Sequence, residues 1–263
     1  MGHGRRVILT RPSSDSQAWV SGLQTAGHSV LHWPLIDIAP VPNSLSMADM
    51  VASAGSCHAI MFVSRNAVTH AVAAGLQLVN EHGPRYWATG PGTRQALLDA
   101  GVPAARIDAP PADAVQFDTE ALWQQVQPSL QAKQVVWILR GADANNAESA
   151  MEGVGRDWLT QQLRQLGVTV KTWAVYQRVC PRWDTAQVSQ ATAAVSDGSV
   201  WLFTSSQAIT HLKHLLPSVP WHNAKAIATH DRIAQAARQL GIAQVVVCKP
   251  AVGAVLSSLE SLA

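Results

Sequence analysis

Short polar segments follow apolar runs at regular intervals along this chain: Thr10-Arg11-Pro12-Ser13, Ser64-Arg65-Asn66, Thr89-Gly90-Pro91-Gly92-Thr93, Arg140-Gly141, Thr204-Ser205-Ser206 and Thr229-His230-Asp231-Arg232. All are rich in hydroxyl, glycine or arginine, and most precede a stretch with helical apolar spacing. Backbone N–H groups at a helix start, the positive end of its dipole, and a guanidinium fork all favour a carboxylate. Ser, Thr and Asp are also ordinary N-cap residues, so a purely structural reading of many of these hydroxyls stands beside the binding one. Tyr176 is a second kind of candidate. It stands near the end of the strand-like run VKTWAVYQR and is one of only two tyrosines in a chain with ten tryptophans.

Other chemistries fit less well. GPGTRQA has Gln95 where a dinucleotide-binding loop needs its third glycine, and a phosphate-loop lysine is missing. His211 and His214 have helical spacing but no evident third ligand, so no metal and no cofactor are expected. Cys57, Cys180 and Cys248 lie far apart, outside any CxxC pair or nucleophile signature. A reducing, cytoplasmic location follows as the expectation.

Strands must deliver these segments. VIL at 7–9, IMFV at 60–63, VVWIL at 135–139 and VWLF at 200–203 read as fully buried strands, and helical patterns come between them. Alternating strands and helices imply parallel sheets covered on both faces, an α/β doubly wound class that binds ligands at the carboxyl ends of its strands. The pattern repeats. FVSRNAVTH from Phe62 parallels FTSSQAITH from Phe203; Leu23, Gly27, Val30 and Trp33 parallel Leu163, Gly167, Val170 and Trp173. Ala88-Thr89 likewise parallels Ala228-Thr229. Three matches in one order at nearly one offset point to a duplicated α/β unit. Tyr176 falls opposite Ile36, so its hydroxyl belongs to one copy.

The 263 residues leave room for two domains, and 48% hydrophobic with 14% charged residues is a globular composition. A net charge of +2 suits small acids better than nucleic acid. No apolar run reaches membrane-spanning length, and MGHGRRVILTRP lacks the apolar core of a secretory signal.

Taken in order, ILTRP (8–12), WPLIDIAP (33–40), FVSRNAV (62–68), ATGPGTRQAL (88–97), FDTEALW (117–123), ILRG (138–141), GRDWL (155–159), VYQR (175–178), FTSSQAI (203–209) and HDRIAQAAR (230–238) resemble the uroporphyrinogen-III synthase family over nearly the whole chain. The resemblance implies two flavodoxin-like domains joined by a two-stranded β-ladder, with the active site in the interdomain cleft. Domain one would combine 1–36 with 179–263, domain two would span 41–171, and 37–40 and 172–178 would be the connecting strands. It implies a cofactor-independent lyase of haem biosynthesis. Such an enzyme closes the linear tetrapyrrole hydroxymethylbilane to uroporphyrinogen III, losing water and inverting ring D.

Carried over position by position, the resemblance makes Tyr176 the catalytic residue, its protonated phenol donating to the departing hydroxyl. It makes Arg11, Ser64, Arg65, Gly90, Thr93, Arg140, Thr204, Ser205, Ser206, His230 and Arg232 the substrate-binding residues. The chain departs from the family pattern in a long 141–155 segment leading to Arg156, in Val63 where many members have Thr, and in Asp231 at a position that is often Pro. A non-catalytic polycarboxylate-binding protein of the same fold is the alternative. The expected partner is the small-molecule substrate alone, acting on a monomer, with room for transient contact with the preceding enzyme of the pathway.

Overall fold

The structure, a computed structural model, describes residues 4–13, 16–42, 44–79, 83–111, 114, 117–143 and 157–262. Two compact units divide the chain: residues 1–37 with 180–263, and residues 38–179.

The first unit contains β1 (Arg6–Leu9), α1 (Gln17–Thr25), β2 (Ser29–His32), α7 (Thr185–Ala193), β9 (Val200–Phe203), α8 (Ser206–Leu215), β10 (Lys225–Ala228), α9 (Asp231–Leu240), β11 (Gln244–Val247) and α10 (Val252–Ser261). Its five strands are all parallel, in the order β11-β10-β9-β1-β2. Val7, Leu9, Val200, Leu202 and Ile227 face α1 and α10, where Leu23, Val255 and Leu259 close the core. The apolar run of β9 is buried at every position, as a strand covered on both faces must be.

The second unit contains β3 (Asp37–Ala39), α2 (Ser44–Ser53), β4 (Ala59–Phe62), α3 (Arg65–Ala73), β5 (Arg85–Ala88), α4 (Pro91–Asp99), β6 (Ile107–Asp108), α5 (Thr119–Val126), β7 (Val135–Asp143), α6 (Asp157–Gln165) and β8 (Thr169–Val179). Six strands follow the order β3-β8-β7-β4-β5-β6, and the pairs from β8 through β6 are parallel. Alternate residues of β4 divide between two cores: Ile60 and Phe62 pack with α3 and α4, Ala59 and Met61 with α5 and α6. The two-residue β6 is fastened to β5 by a bidentate pair, Arg85 to Asp108, with both N–H···O distances 2.6 Å.

The chain passes between units at residues 37–38 and 179–180, and the strands at those points, β3 and β8, are neighbours in one sheet. Run from edge to edge, β11-β10-β9-β1-β2 corresponds to β6-β5-β4-β7-β8, with α8 matching α3 and α9 matching α4. The repeats seen in the sequence therefore coincide with equivalent elements. Gly27 and Gly167 close the equivalent helices α1 and α6 with φ of 86° and 76°, a region where a side chain would be strained. β2 ends at His32, whereas β8 continues seven residues beyond the equivalent Thr172, to Val179. Tyr176 stands in that extension.

Among the described residues, no helix is long and apolar enough to cross a membrane.

Candidate functional site

The carboxyl ends of β4 and β5 are brought side by side by the sheet order and lead into Ser64-Arg65-Asn66 and Thr89–Thr93, while Arg140-Gly141 lies within the neighbouring β7. Ser64 is the N-cap of α3, in extended backbone, and its Oγ accepts the Ala67 N–H at 3.2 Å. Gly90 is the extended N-cap of α4 and Pro91 its first residue, so no side chain occupies the N–H groups of that first turn. Thr93 is buried in the same turn. Arg65 reaches across to it: its guanidinium Nη2 lies 3.3 Å from where a Cβ on Gly92 would stand. The arrangement sets one exposed cation beside one uncapped helix start, which together attract an anion.

Tyr176 is only 4% exposed and its hydroxyl lies 3.1 Å from Ser64 Oγ. A register shift brings it there. β7 and β8 pair regularly through Leu139 with Trp173 and Arg140 with Ala174, and then Gly141 pairs with Tyr176, leaving Val175 as the extra residue of a β-bulge. Strict alternation would set Tyr176 on the face of Ala174, toward α5 and α6. The bulge turns it to the face of Val175, where both join the core beneath α3 and α4. Gly141 completes the fit, because a Cβ there would collide with Cε2 and Cζ of the Tyr176 ring and stand 2.9 Å from its oxygen. On the ring's other neighbour, His70 of α3, the centroid separation is 5.7 Å. Burial lowers the pKa of His70 below its ordinary 6.5, so the imidazole beside the phenol is neutral.

Arg140 is buried within β7, and the pleat groups it with Val136 and Ile138, away from Ser64. Residues 144–156, most of the long segment and Arg156, lie outside the described residues. At its near end Asp143 accepts a 2.8 Å bond from Arg178 Nε, tying the tips of β7 and β8 together.

In the first unit the predicted residues also gather at strand ends. Ser205 caps α8, its Oγ accepting the Gln207 N–H at 3.2 Å, and His230 caps α9 through Nδ1, which accepts the Arg232 N–H at 3.1 Å. That bond fixes the proton of the neutral ring on Nε2. Asp231 and Arg232 are exposed in the first turn of α9. Ser206 Oγ is enclosed and without a partner, so it would have to rotate to meet a ligand. Thr204 joins β9 to this cap. Arg11 lies over the Trp19 ring at 5.1 Å, a cation–π contact that holds its guanidinium against α1. Thr10 is structural, donating 2.7 Å to the Leu202 carbonyl. His211 binds inward: Nδ1 donates to the Leu35 carbonyl at 2.6 Å, occupying in this unit the place that His70 takes against Tyr176 in the other.

Among the described residues, no group of three or more His, Cys, Asp or Glu side chains is placed to hold a metal ion. Cys57 is buried at the opposite end of β4, and burial pushes its thiol up to about 11, which leaves it an inert core residue.

The sequence did not reveal that Ser64 and Tyr176 meet, nor the parts of Gly141 and His70. The repeated Thr-His at 69–70 and 210–211 was the available sign, since His211 bonds Leu35 just beyond β2 and His70 meets Tyr176 in the extension of the equivalent β8.

These features define an α/β protein of two like-ordered parallel sheets, with polar helix starts at the strand ends and, in the second unit, a buried phenol beside one of them. Comparison with solved structures places the fold. Uroporphyrinogen-III synthetase from Helicobacter pylori superposes with a TM-score of 0.57 at 19% identity, covering 98% of this chain and 100% of that one. A mutant uroporphyrinogen III synthase from Thermus thermophilus gives 0.51 at 17% identity, covering 98% of each chain. The family model for uroporphyrinogen-III synthase HemD matches residues 17–256. The uroporphyrinogen-III synthase of Escherichia coli is 27% identical over 244 residues, 89% of this chain and 91% of that protein. That of Salmonella typhimurium is 27% identical over 246 residues, again 89% and 91%. The chain belongs to the uroporphyrinogen-III synthase family.

Proposed function

We propose that this chain cyclises hydroxymethylbilane to uroporphyrinogen III, releasing water and inverting ring D, as a lyase of haem biosynthesis. The observation that carries the reading is the phenol of Tyr176, turned by a bulge and held at the carboxyl end of β4 beside the start of α3. The bilane is a flexible polycarboxylate, and helix starts with arginine beside them are suited to its acid groups. Gly90, Thr93 and Arg65 act in the second unit, and Arg140 acts from the other face of β7. Thr204, Ser205, Ser206, His230, Arg232 and Arg11 act in the first.

The chemistry asked of the protein is orientation. Loss of the hydroxyl from the bilane leaves an electrophilic azafulvene, which closes without inversion if ring D swings freely. Holding ring D so that its substituted carbon attacks first selects the spiro intermediate, from which the ring re-closes inverted. Tyr176 hastens departure by giving its proton to the leaving oxygen. We propose further that the protein is a cytoplasmic monomer and takes the unstable bilane from the preceding enzyme, free or by transient contact.

Purified protein supplied with freshly made hydroxymethylbilane, followed by oxidation and chromatographic separation of the isomers, tests the reading. Type III porphyrin is expected to dominate. Type I alone, the product of unaided closure, would refute it.

A further inference from the structure

The two tyrosines of this chain are both almost fully enclosed, and their oxygens are treated differently. Tyr86 donates 2.8 Å to the Leu78 carbonyl, which can only accept, so its proton has one permanent place. Tyr176 faces the hydroxyl of Ser64, which can accept from the phenol or donate to it. Ser64 Oγ is itself anchored, because it accepts the Ala67 N–H and so belongs to the first turn of α3. Three further restraints act on the same ring: the extra Val175 that turns it, the bare Gly141 backbone it lies across, and the His70 ring against it. A phenol that merely filled space would not need its oxygen set from so many sides.

We infer that Ser64 is the positioning residue of Tyr176: it holds the phenol oxygen in place and reverses its hydrogen bond when the phenol gives up its proton. Before reaction the Tyr176 O–H donates to Ser64 or to the leaving hydroxyl of the bilane. As the C–O bond breaks, the phenol proton passes to that oxygen, water departs, and the bilane keeps the positive charge. The Ser64 O–H then turns to donate to the phenolate, while its Oγ still accepts from Ala67. The proton released when the pyrrole ring re-aromatises at closure restores the phenol, so the cycle balances to one water without any co-reactant. Ser64 then acts through Tyr176 rather than on a substrate carboxylate, the part the sequence alone suggested for it. This rests on the proposed function, and its test has one arm that does not.

The first arm uses protein labelled with [13Cζ]tyrosine. With two tyrosines there are two resonances, assigned by Tyr86→Phe. Ser64→Gly removes the hydroxyl but keeps an acceptable N-cap, so the fold survives. It is expected to move the Tyr176 resonance, and Ser64→Thr to restore it. An unmoved resonance overturns the inference, whatever the enzyme's reaction proves to be.

The second arm is a cycle of wild type, Ser64→Gly, Tyr176→Phe and the double variant, with kcat and KM for hydroxymethylbilane. Ser64→Gly is expected to lower kcat about ten-fold at unchanged KM, the scale of one lost hydrogen bond in the transition state. In the Tyr176→Phe background it should cost less than about two-fold. Equal losses in both backgrounds, or a loss confined to KM, would make Ser64 a direct substrate contact and overturn the inference. A wild-type protein yielding type I product alone would instead refute the proposed function.

Discussion

Burying a phenol with its oxygen unpaired costs free energy, whereas pairing it with another hydroxyl roughly restores the balance. Tyr176 therefore gains little stability from its Ser64 contact, and replacing it with Phe leaves the ring against Gly141 and His70 while Ser64 keeps its bond to Ala67. The expected outcome is a protein with its unfolding free energy changed by no more than about 1 kcal/mol. Turnover should fall about ten-fold or more, since a donor aimed at the leaving group has been lost. Urea denaturation and initial rates, measured on the same preparation, check both halves. An unchanged rate would reassign Tyr176 to structure.

The element that matters most here is β8, and its bulge works only because β7 offers a glycine at the crossing point. In Gly141→Ala the new methyl group would meet the Tyr176 ring, which is enclosed by α3 and has no room to withdraw. The ring or the strand must shift at a cost of roughly 1–3 kcal/mol. The hydroxyl then leaves Ser64, so kcat should drop at least as far as in Tyr176→Phe. Full activity in Gly141→Ala would show that the close approach is dispensable. How these elements could be read beforehand differs among them. β1, β4, β7 and β9 were legible as apolar runs because both of their faces are buried, and the starts of α3, α4 and α8 were legible because Ser64, Gly90 and Ser205 are capping residues before helical spacing. The bulge was not, for WAVYQR reads as plain alternation and the extra residue exists only relative to β7. Nor could local pattern place Ser64 beside Tyr176, whose partnership spans 112 residues of chain and depends on the order β8-β7-β4. Arg11 was read as a substrate-binding residue on its charge and on the resemblance. That it lies over Trp19 depends on how the end of β1 and α1 come together, which charge and spacing do not specify.

At the scale of the molecule, two sheets of one order are held by cores of the same kind, yet the second unit carries a pH sensitivity of its own. His58, just before β4, has its pKa lowered from 6.5 chiefly by burial, aided by the Arg85 cation and partly opposed by Asp108; His70 is lowered by burial. Both imidazoles therefore take up protons less readily in the folded protein than in the unfolded chain. Where the unfolded state binds more protons, stability rises with pH. The contribution from keeping these rings neutral is complete above 6.5 and is lost as pH falls through that value toward the lower folded pKa values. Urea midpoints of the second unit, followed by an amide-exchange or fluorescence probe within it, should decrease between about pH 7.5 and about pH 5.5. Replacing both histidines by Gln should flatten that decrease, and turnover should weaken over the same range as charge on His70 disturbs the ring it lies against. If the double variant retains the full wild-type slope, the acid sensitivity belongs to carboxylates elsewhere and the neutral imidazole beside Tyr176 has no part in it.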